Sequence, residues 1–187
     1  MISLIVAYDE NRAIGAGNDI PWFIKGELKW VADTTKAVKN TSKINALIMG
    51  HNTWKSLPEN RRPLANRLNI VVSRTAVIDQ EGVIVCKSLE DAIDFANKNE
   101  NIETAFIFGG ASIYKEALEK DLVDQVLATE VRVIDHYVDG KFTPDYEADT
   151  FFPELPSNFA GLKPEITEYG NDLVKRITFF KQKPIKL

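Results

Sequence analysis

Glu27 is the first residue in this chain whose type and position suggest chemistry. It follows the rigid Pro21-Trp22 step and opens a segment in which Leu28, Val31, Thr35 and Val38 recur at roughly helical spacing. The carboxylate therefore shares a face with Val31 and Thr35. An acid at a helix start either complements the positive end of the helix dipole or is a desolvated group held for a proton or an N–H donor. Three other stretches lie where a strand-like run ends. Gly109-Gly110 lets backbone approach a ligand and precedes a helix whose free N–H groups suit a diphosphate, although Gly-Gly also serves as a plain tight turn. Gly50-His51-Asn52-Thr53 offers a second such anion site, or an ordinary N-cap. Ser73-Arg74 ends a third strand; its guanidinium either forks onto a phosphate monoester or is solvated. Two helix N-termini and a strand-end arginine together fit a ligand with separated phosphates, such as a phosphorylated dinucleotide.

Other chemistries find no support. One cysteine, Cys86, forms no internal disulfide, and with only His51 and His136 the chain lacks the residues for a thiolate or His-rich metal site, so no metal is expected. A net charge of -4 argues against a general binder of nucleic acid or anionic membrane. No apolar run approaches a membrane span. The opening Ile2-Ser3-Leu4-Ile5-Val6-Ala7 has no basic residues ahead of it and no small-residue cleavage site after it, so it reads as a buried strand rather than a signal peptide. A soluble, cytoplasmic protein is expected. At 187 residues, 44% hydrophobic and 27% charged, the chain fits one domain, 1–187, with a continuous core.

The elements must bring the candidate residues to one place. Apolar runs at 2–8, 45–49, 68–73, 83–86, 104–108 and 125–131 predict strands, the first apolar almost throughout, as in a sheet covered on both faces. Helices are predicted from about 25 to 39, from the Gly50 turn to near Leu57, after Ser88 as N-cap with Leu89, Ala92, Ile93 and Ala96 buried, and over 111–119 with Ile113, Tyr114, Ala117 and Leu118 inward. Residues 9–23 form a loop around Gly15-Ala16-Gly17-Asn18-Asp19, and 132–150 a long, polar, exposed excursion. Two last strands, 165–169 and 174–181, join across Gly170-Asn171-Asp172 as a hairpin. The fold expected is α/β: a single domain with a mainly parallel central sheet, helices on both faces and an antiparallel C-terminal hairpin at one edge. Ligands in such folds gather beyond the carboxyl ends of the strands.

An ordered set of short motifs resembles one family along nearly the whole chain. It runs Ile2-Ser3-Leu4-Ile5-Val6-Ala7, Ile14-Gly15, Pro21-Trp22, Glu27-Leu28, Ile48-Met49-Gly50, Thr53-Trp54, Arg62-Pro63-Leu64, Arg67, Asn69-Ile70-Val71-Val72-Ser73-Arg74, Phe108-Gly109-Gly110 through Tyr114, and Asp149-Thr150-Phe151-Phe152-Pro153. In this order and spacing the chain resembles dihydrofolate reductase.

The resemblance implies NADPH-dependent reduction of 7,8-dihydrofolate, with hydride to C6 and a proton to N5 of the pterin. By the same resemblance Glu27 is the single active-site acid, gripping the pterin 2-amino group and N3 and helping to deliver the proton through water; Thr129 supports it, Trp22 helps to hold that water, and Tyr114 lies near the reacting rings. Ile5, Ala7, Val31, Leu57, Leu64 and Phe108 contact the substrate, and Arg67 pairs with its α-carboxylate. Ala7, Ile14 and Gly15 meet the nicotinamide carboxamide, and Asn18, Ile20, Ile113 and Tyr114 are further cofactor contacts. Gly50, His51, Asn52, Thr53, Ser73, Arg74, Lys87, Gly109, Gly110 and Ser112 serve its phosphates and adenosine, the two glycines being joined by a cis peptide. Residues 9–24 act as a lid. Antifolate inhibitors share the pterin pocket, and a monomer is expected.

Four positions depart from the family pattern. His51 and Asn52 stand where a basic residue usually meets the 2′-phosphate, Val31 where an aromatic is common, and Phe108 where an aliphatic is usual. The 132–149 excursion is longer than in compact bacterial members. Two rivals are a reductase of riboflavin synthesis on the same fold and a non-catalytic NADPH-binding protein.

Overall fold

The computed structural model describes residues 1–17, 19–24, 26–133 and 136–182; Asn18, expected among the cofactor contacts, lies outside the described residues. The chain begins with β1 (Ile2–Tyr8), β2 (Ala13–Gly15), α1 (Glu27–Lys36), β3 (Ile44–Gly50), α2 (His51–Ser56), β4 (Arg67–Val72) and β5 (Val83–Cys86). It continues with α3 (Leu89–Lys98), β6 (Ile102–Gly109), α4 (Ala111–Glu119), β7 (Gln125–Arg132), β8 (Tyr137–Val138), β9 (Lys141–Phe142), β10 (Thr150–Phe151) and β11 (Phe159–Gly161). A hairpin of β12 (Glu165–Tyr169) and β13 (Asp172–Lys181) ends it.

Strands β7-β1-β6-β3-β4-β5 are parallel neighbours in that order. β13 joins β7 antiparallel, and its outer side carries β12 on its first half and β11 on its last. This is the expected α/β fold with antiparallel strands at one edge. Near-continuous apolar strands follow from burial on both faces. Leu4, Val6, Ile48, Ile70 and Ile107 pack against α3 and α4. Their chain neighbours Ile5, Leu47, Met49, Val71 and Phe106 point the other way, toward Trp54 of α2 and the half-buried Trp30 and Val31 of α1. Among the described residues no helix is long and apolar enough to cross a membrane.

Local signals survive folding well. Ser88 Oγ accepts from the Asp91 amide at 3.0 Å, and Leu89, Ala92, Ile93 and Ala96 are buried behind that cap. Two expectations for α1 need correction. The helix stops at Lys36 instead of reaching 39, because the buried Asn45 side chain donates to the carbonyls of Thr35 (3.0 Å) and Ala37 (2.8 Å). Those carbonyls would otherwise lack a partner at the helix end. Leu28, expected on the inward face, is 56% exposed, since the turn is rotated to bury Glu27.

The 132–150 stretch is exposed or half-buried apart from His136, as expected, yet it is tied to the body of the fold; Ile134 and Asp135 lie outside the described residues. β8 and β9 form a small hairpin, His136 is buried, and the Tyr146 hydroxyl donates to buried Asp9 at 2.5 Å. The Gly17 amide donates to Asp149 Oδ2 at 2.9 Å, and β10 pairs with β2. Arg12 lies over the stacked rings of Tyr8 and Phe152 and donates to the carbonyls of Phe152 and Pro153. The excursion thus braces the loop after β1, a role invisible in its polar composition.

Candidate active site

Glu27 opens α1 behind Gly26, an N-cap in left-handed conformation that contributes no side-chain cap. The residue is only 5% exposed. Its Oε2 accepts from Arg176 Nη2 at 2.5 Å, while Oε1 has no hydrogen-bond partner among the described residues. Thr129, fully buried on β7, has a hydroxyl in the same condition. Unpaired buried oxygens cost free energy and are rare in native folds, so two beside one ion pair point to a ligand-facing site. The sheet register explains their meeting: Ala7 of β1, Thr129 of β7 and Arg176 of β13 are successive partners across three strands.

Arg176 was not singled out in the sequence, and it adds a cationic partner to the single acid expected there. The only sequence signal for it is alternation along β13, which places Arg176 on the same face as fully buried Val174. Its guanidinium stacks on Trp30 at 4.5 Å and donates to Thr167 Oγ1 (3.0 Å) and the Tyr169 hydroxyl (3.1 Å). The Tyr169 ring presses in turn on Gly26: a Cβ built there would lie 2.6 Å from Tyr169 Cε1, at a φ of 103° that L side chains rarely adopt. Gly26→Ala should therefore destabilise the fold by about 2 kcal/mol, read as a lower urea midpoint at unchanged m-value.

The expected apolar contacts converge. Ile5 is buried, and Val31, Leu57, Leu64 and Phe108 pack half-buried around the same cluster, between α1, the end of α2 and the sheet. Arg67 closes the far end: Nη1 donates to Thr35 Oγ1 at 2.8 Å and Nε to the Ala65 carbonyl at 3.1 Å. Burial lowers the pKa of this guanidinium, yet an arginine stays protonated in proteins, and its remaining donors can take a carboxylate. Trp22 is buried in an adjoining apolar cluster with Ile24, Val131 and Val174, which reaches Ala7 and Tyr169. The Tyr114 hydroxyl donates to the Ile5 carbonyl at 2.8 Å, and full burial raises its pKa, so the phenol holds β1 in place and releases no proton.

The phosphate-binding candidates line up at the carboxyl ends of four adjacent strands, β6-β3-β4-β5. Gly109-Gly110 is a cis peptide after β6, and neither Gly110 before α4 nor Gly50 before α2 supplies a capping side chain. A Cβ on Gly110 would lie 3.1 Å from Thr53 Oγ1, and one on Gly50 would lie 3.2 Å from Ile113 Cγ1. Both turns are therefore glycine-lined cradles with open amides. His51 and Asn52 follow Gly50; Ser73 Oγ accepts the Ala76 amide at 3.0 Å and so shapes the turn that presents exposed Arg74. The Ser73 amide donates to the Cys86 carbonyl at 2.8 Å, which brings Arg74 and exposed Lys87 to neighbouring strand ends. At about 4.8 Å per strand this row spans about 14 Å, enough for two separated phosphate groups. Ser112 is exposed on the first turn of α4, Gly15 is paired to Thr150, Ile14 is half-buried, and Ile20 lies exposed on the loop. The donor set fits a phosphorylated dinucleotide.

Comparison with known proteins agrees. A family model described as dihydrofolate reductase matches residues 1–181. Dihydrofolate reductase of Drosophila melanogaster is 36% identical over 165 residues, covering 87% of this chain and 85% of that protein. The Aedes albopictus enzyme is 34% identical over 192 residues, covering 97% of each. Dihydrofolate reductase of Sus scrofa is 35% identical over 159 residues, 82% of this chain and 80% of that one. The buried acid, the arginine at the far end of an apolar cleft and the glycine-lined strand ends therefore have a family to match: the chain belongs to the dihydrofolate reductases.

Proposed function

We propose that the chain reduces 7,8-dihydrofolate to 5,6,7,8-tetrahydrofolate with NADPH, supplying one-carbon metabolism. The observation that carries this reading is the pair of unpartnered buried oxygens, Glu27 Oε1 and Thr129 Oγ1, at the head of the cleft that Arg67 closes. When bound, NADPH supplies a hydride to pterin C6. Its nicotinamide end is held by Ala7, Ile14, Gly15, Asn18, Ile20 and Tyr114, and its phosphates by the strand-end row. Glu27 takes the pterin 2-amino group and N3–H, which fixes the ring face and aligns C6. Thr129 completes that hydrogen-bond set. The proton for N5 arrives through water walled by Trp22, so the C6=N5 double bond becomes CH–NH. Ile5, Val31, Leu57, Leu64 and Phe108 hold the rings and exclude bulk water, while residues 9–24 close over them. The same pocket takes antifolates.

Purified protein should oxidise NADPH on addition of dihydrofolate, and methotrexate should stop it. Turnover on the ribosylaminouracil substrate of riboflavin synthesis instead would select that rival, and NADPH binding with turnover on neither would leave a non-catalytic binder.

Cofactor choice provides a second test. With His51 and Asn52 at the Gly50 turn, Arg74 is the main fixed cation for a 2′-phosphate. Arg74→Ala should weaken NADPH about 10-fold and NADH less than 2-fold by fluorescence titration, as expected for an exposed charge-assisted contact worth about 1.4 kcal/mol.

A further inference from the structure

Arg176 has no part in the reaction as proposed, yet it is the group nearest the essential acid. It is 8% exposed, and its ion pair with Glu27 joins residues 149 positions apart in the chain. The guanidinium is itself held in place: Trp30 lies against its face, Nη1 donates to Thr167 of β12, and Nη2, the nitrogen on Glu27, also donates to the Tyr169 hydroxyl. It grips one carboxylate oxygen only, and Glu27 Oε1 is left without a partner among the described residues.

We propose that Arg176 is a positioning residue for the reaction: from the C-terminal hairpin it clamps Glu27 by Oε2, fixes the carboxylate's rotation, and leaves Oε1 to the pterin. The clamp also supplies the counter-charge that lets a carboxylate sit in this buried place before substrate arrives. The C-terminal hairpin thus belongs to the active site, through Thr167 and Tyr169 as supports for Arg176. The inference rests on the reading that Glu27 holds the pterin.

The test compares wild type, Arg176→Met, Arg176→Lys, Glu27→Gln and the Glu27→Gln/Arg176→Met double variant, reading kcat and KM for dihydrofolate and, by fluorescence, Kd for folate and for NADPH. Arg176→Met should lower kcat/KM about 100-fold, with NADPH Kd changed less than 3-fold. Arg176→Lys keeps a cation without the planar guanidinium and should recover about 10-fold of that loss, remaining about 10-fold below wild type. In the Glu27→Gln background, the same Arg176→Met change should weaken folate less than 3-fold, because the group it positions is gone. Equal losses in both backgrounds would make Arg176 a mere brace of the hairpin and overturn the proposal, as would kcat/KM within 3-fold of wild type for Arg176→Met. If Arg176→Met fails to fold, Arg176→Lys alone decides, since a positioning fork predicts a loss of about 10-fold in kcat/KM and a dispensable one predicts none. Wild-type protein inactive on dihydrofolate would sink the functional reading itself, a result distinct from active wild type with indifferent Arg176 variants.

Discussion

Glu27→Gln should lower kcat for dihydrofolate about 10²- to 10³-fold while leaving NADPH affinity within about 2-fold, the size expected when a positioned acid–base group is lost. The amide keeps the shape and half of the hydrogen-bonding capacity of the carboxylate. It cannot accept at both oxygens, and it carries no charge to hold or pass a proton. The structure adds a second consequence. Glu27 and Arg176 are both buried, so the amide leaves the guanidinium without a counter-ion. Stability should fall by about 1.5–3 kcal/mol, the range for a hydrogen bond to a charged group, and urea unfolding reads this independently of turnover. An acid serving only the dipole of α1 would give a change of at most about 1 kcal/mol in stability and none in kcat. The two readouts together separate the desolvated acid from the bland helix-start acid, the alternatives the sequence leaves open.

Arg67→Leu should weaken dihydrofolate about 100-fold or more, since truncating one partner of a buried, hydrogen-bonded charge pair costs about 2–5 kcal/mol. Leucine keeps much of the stem's bulk, so the apolar cleft around Leu57 and Leu64 remains lined. The change shows in KM and Kd, because the glutamyl carboxylate is far from the bond being made and is gripped equally before and during reaction. A pteridine lacking the glutamyl tail is the control: it should bind wild type and Arg67→Leu alike. Equal losses for tailed and untailed ligands would assign Arg67 to the support of α1 through Thr35 alone.

Much of this architecture is legible in the chain because its signals are local. The strands announce themselves as apolar runs, α4 spans the residues its periodicity predicts, and Ser88 caps α3 through a contact three residues away. What escapes the sequence is decided by partners far along it. α1 stops early because Asn45 of the next strand takes its carbonyls, and Leu28 faces outward because burying Glu27 sets the rotation of the first turn. The 132–150 stretch is polar by composition yet packs on Asp9 through Tyr146. Among the site residues, Glu27, Arg67 and the glycine turns stand out by type and spacing. Arg176 does not: an arginine in an edge hairpin reads as solvated until the register sets it beside Thr129.

The most direct test of the account is the structure of the complex with oxidised cofactor and folate. The account predicts the pterin 2-amino group within hydrogen-bond distance of Glu27 Oε1, ring C6 against the nicotinamide, and the glutamyl α-carboxylate on Arg67. A pterin bound away from Glu27, or a nicotinamide on the other side of the sheet from it, would contradict it.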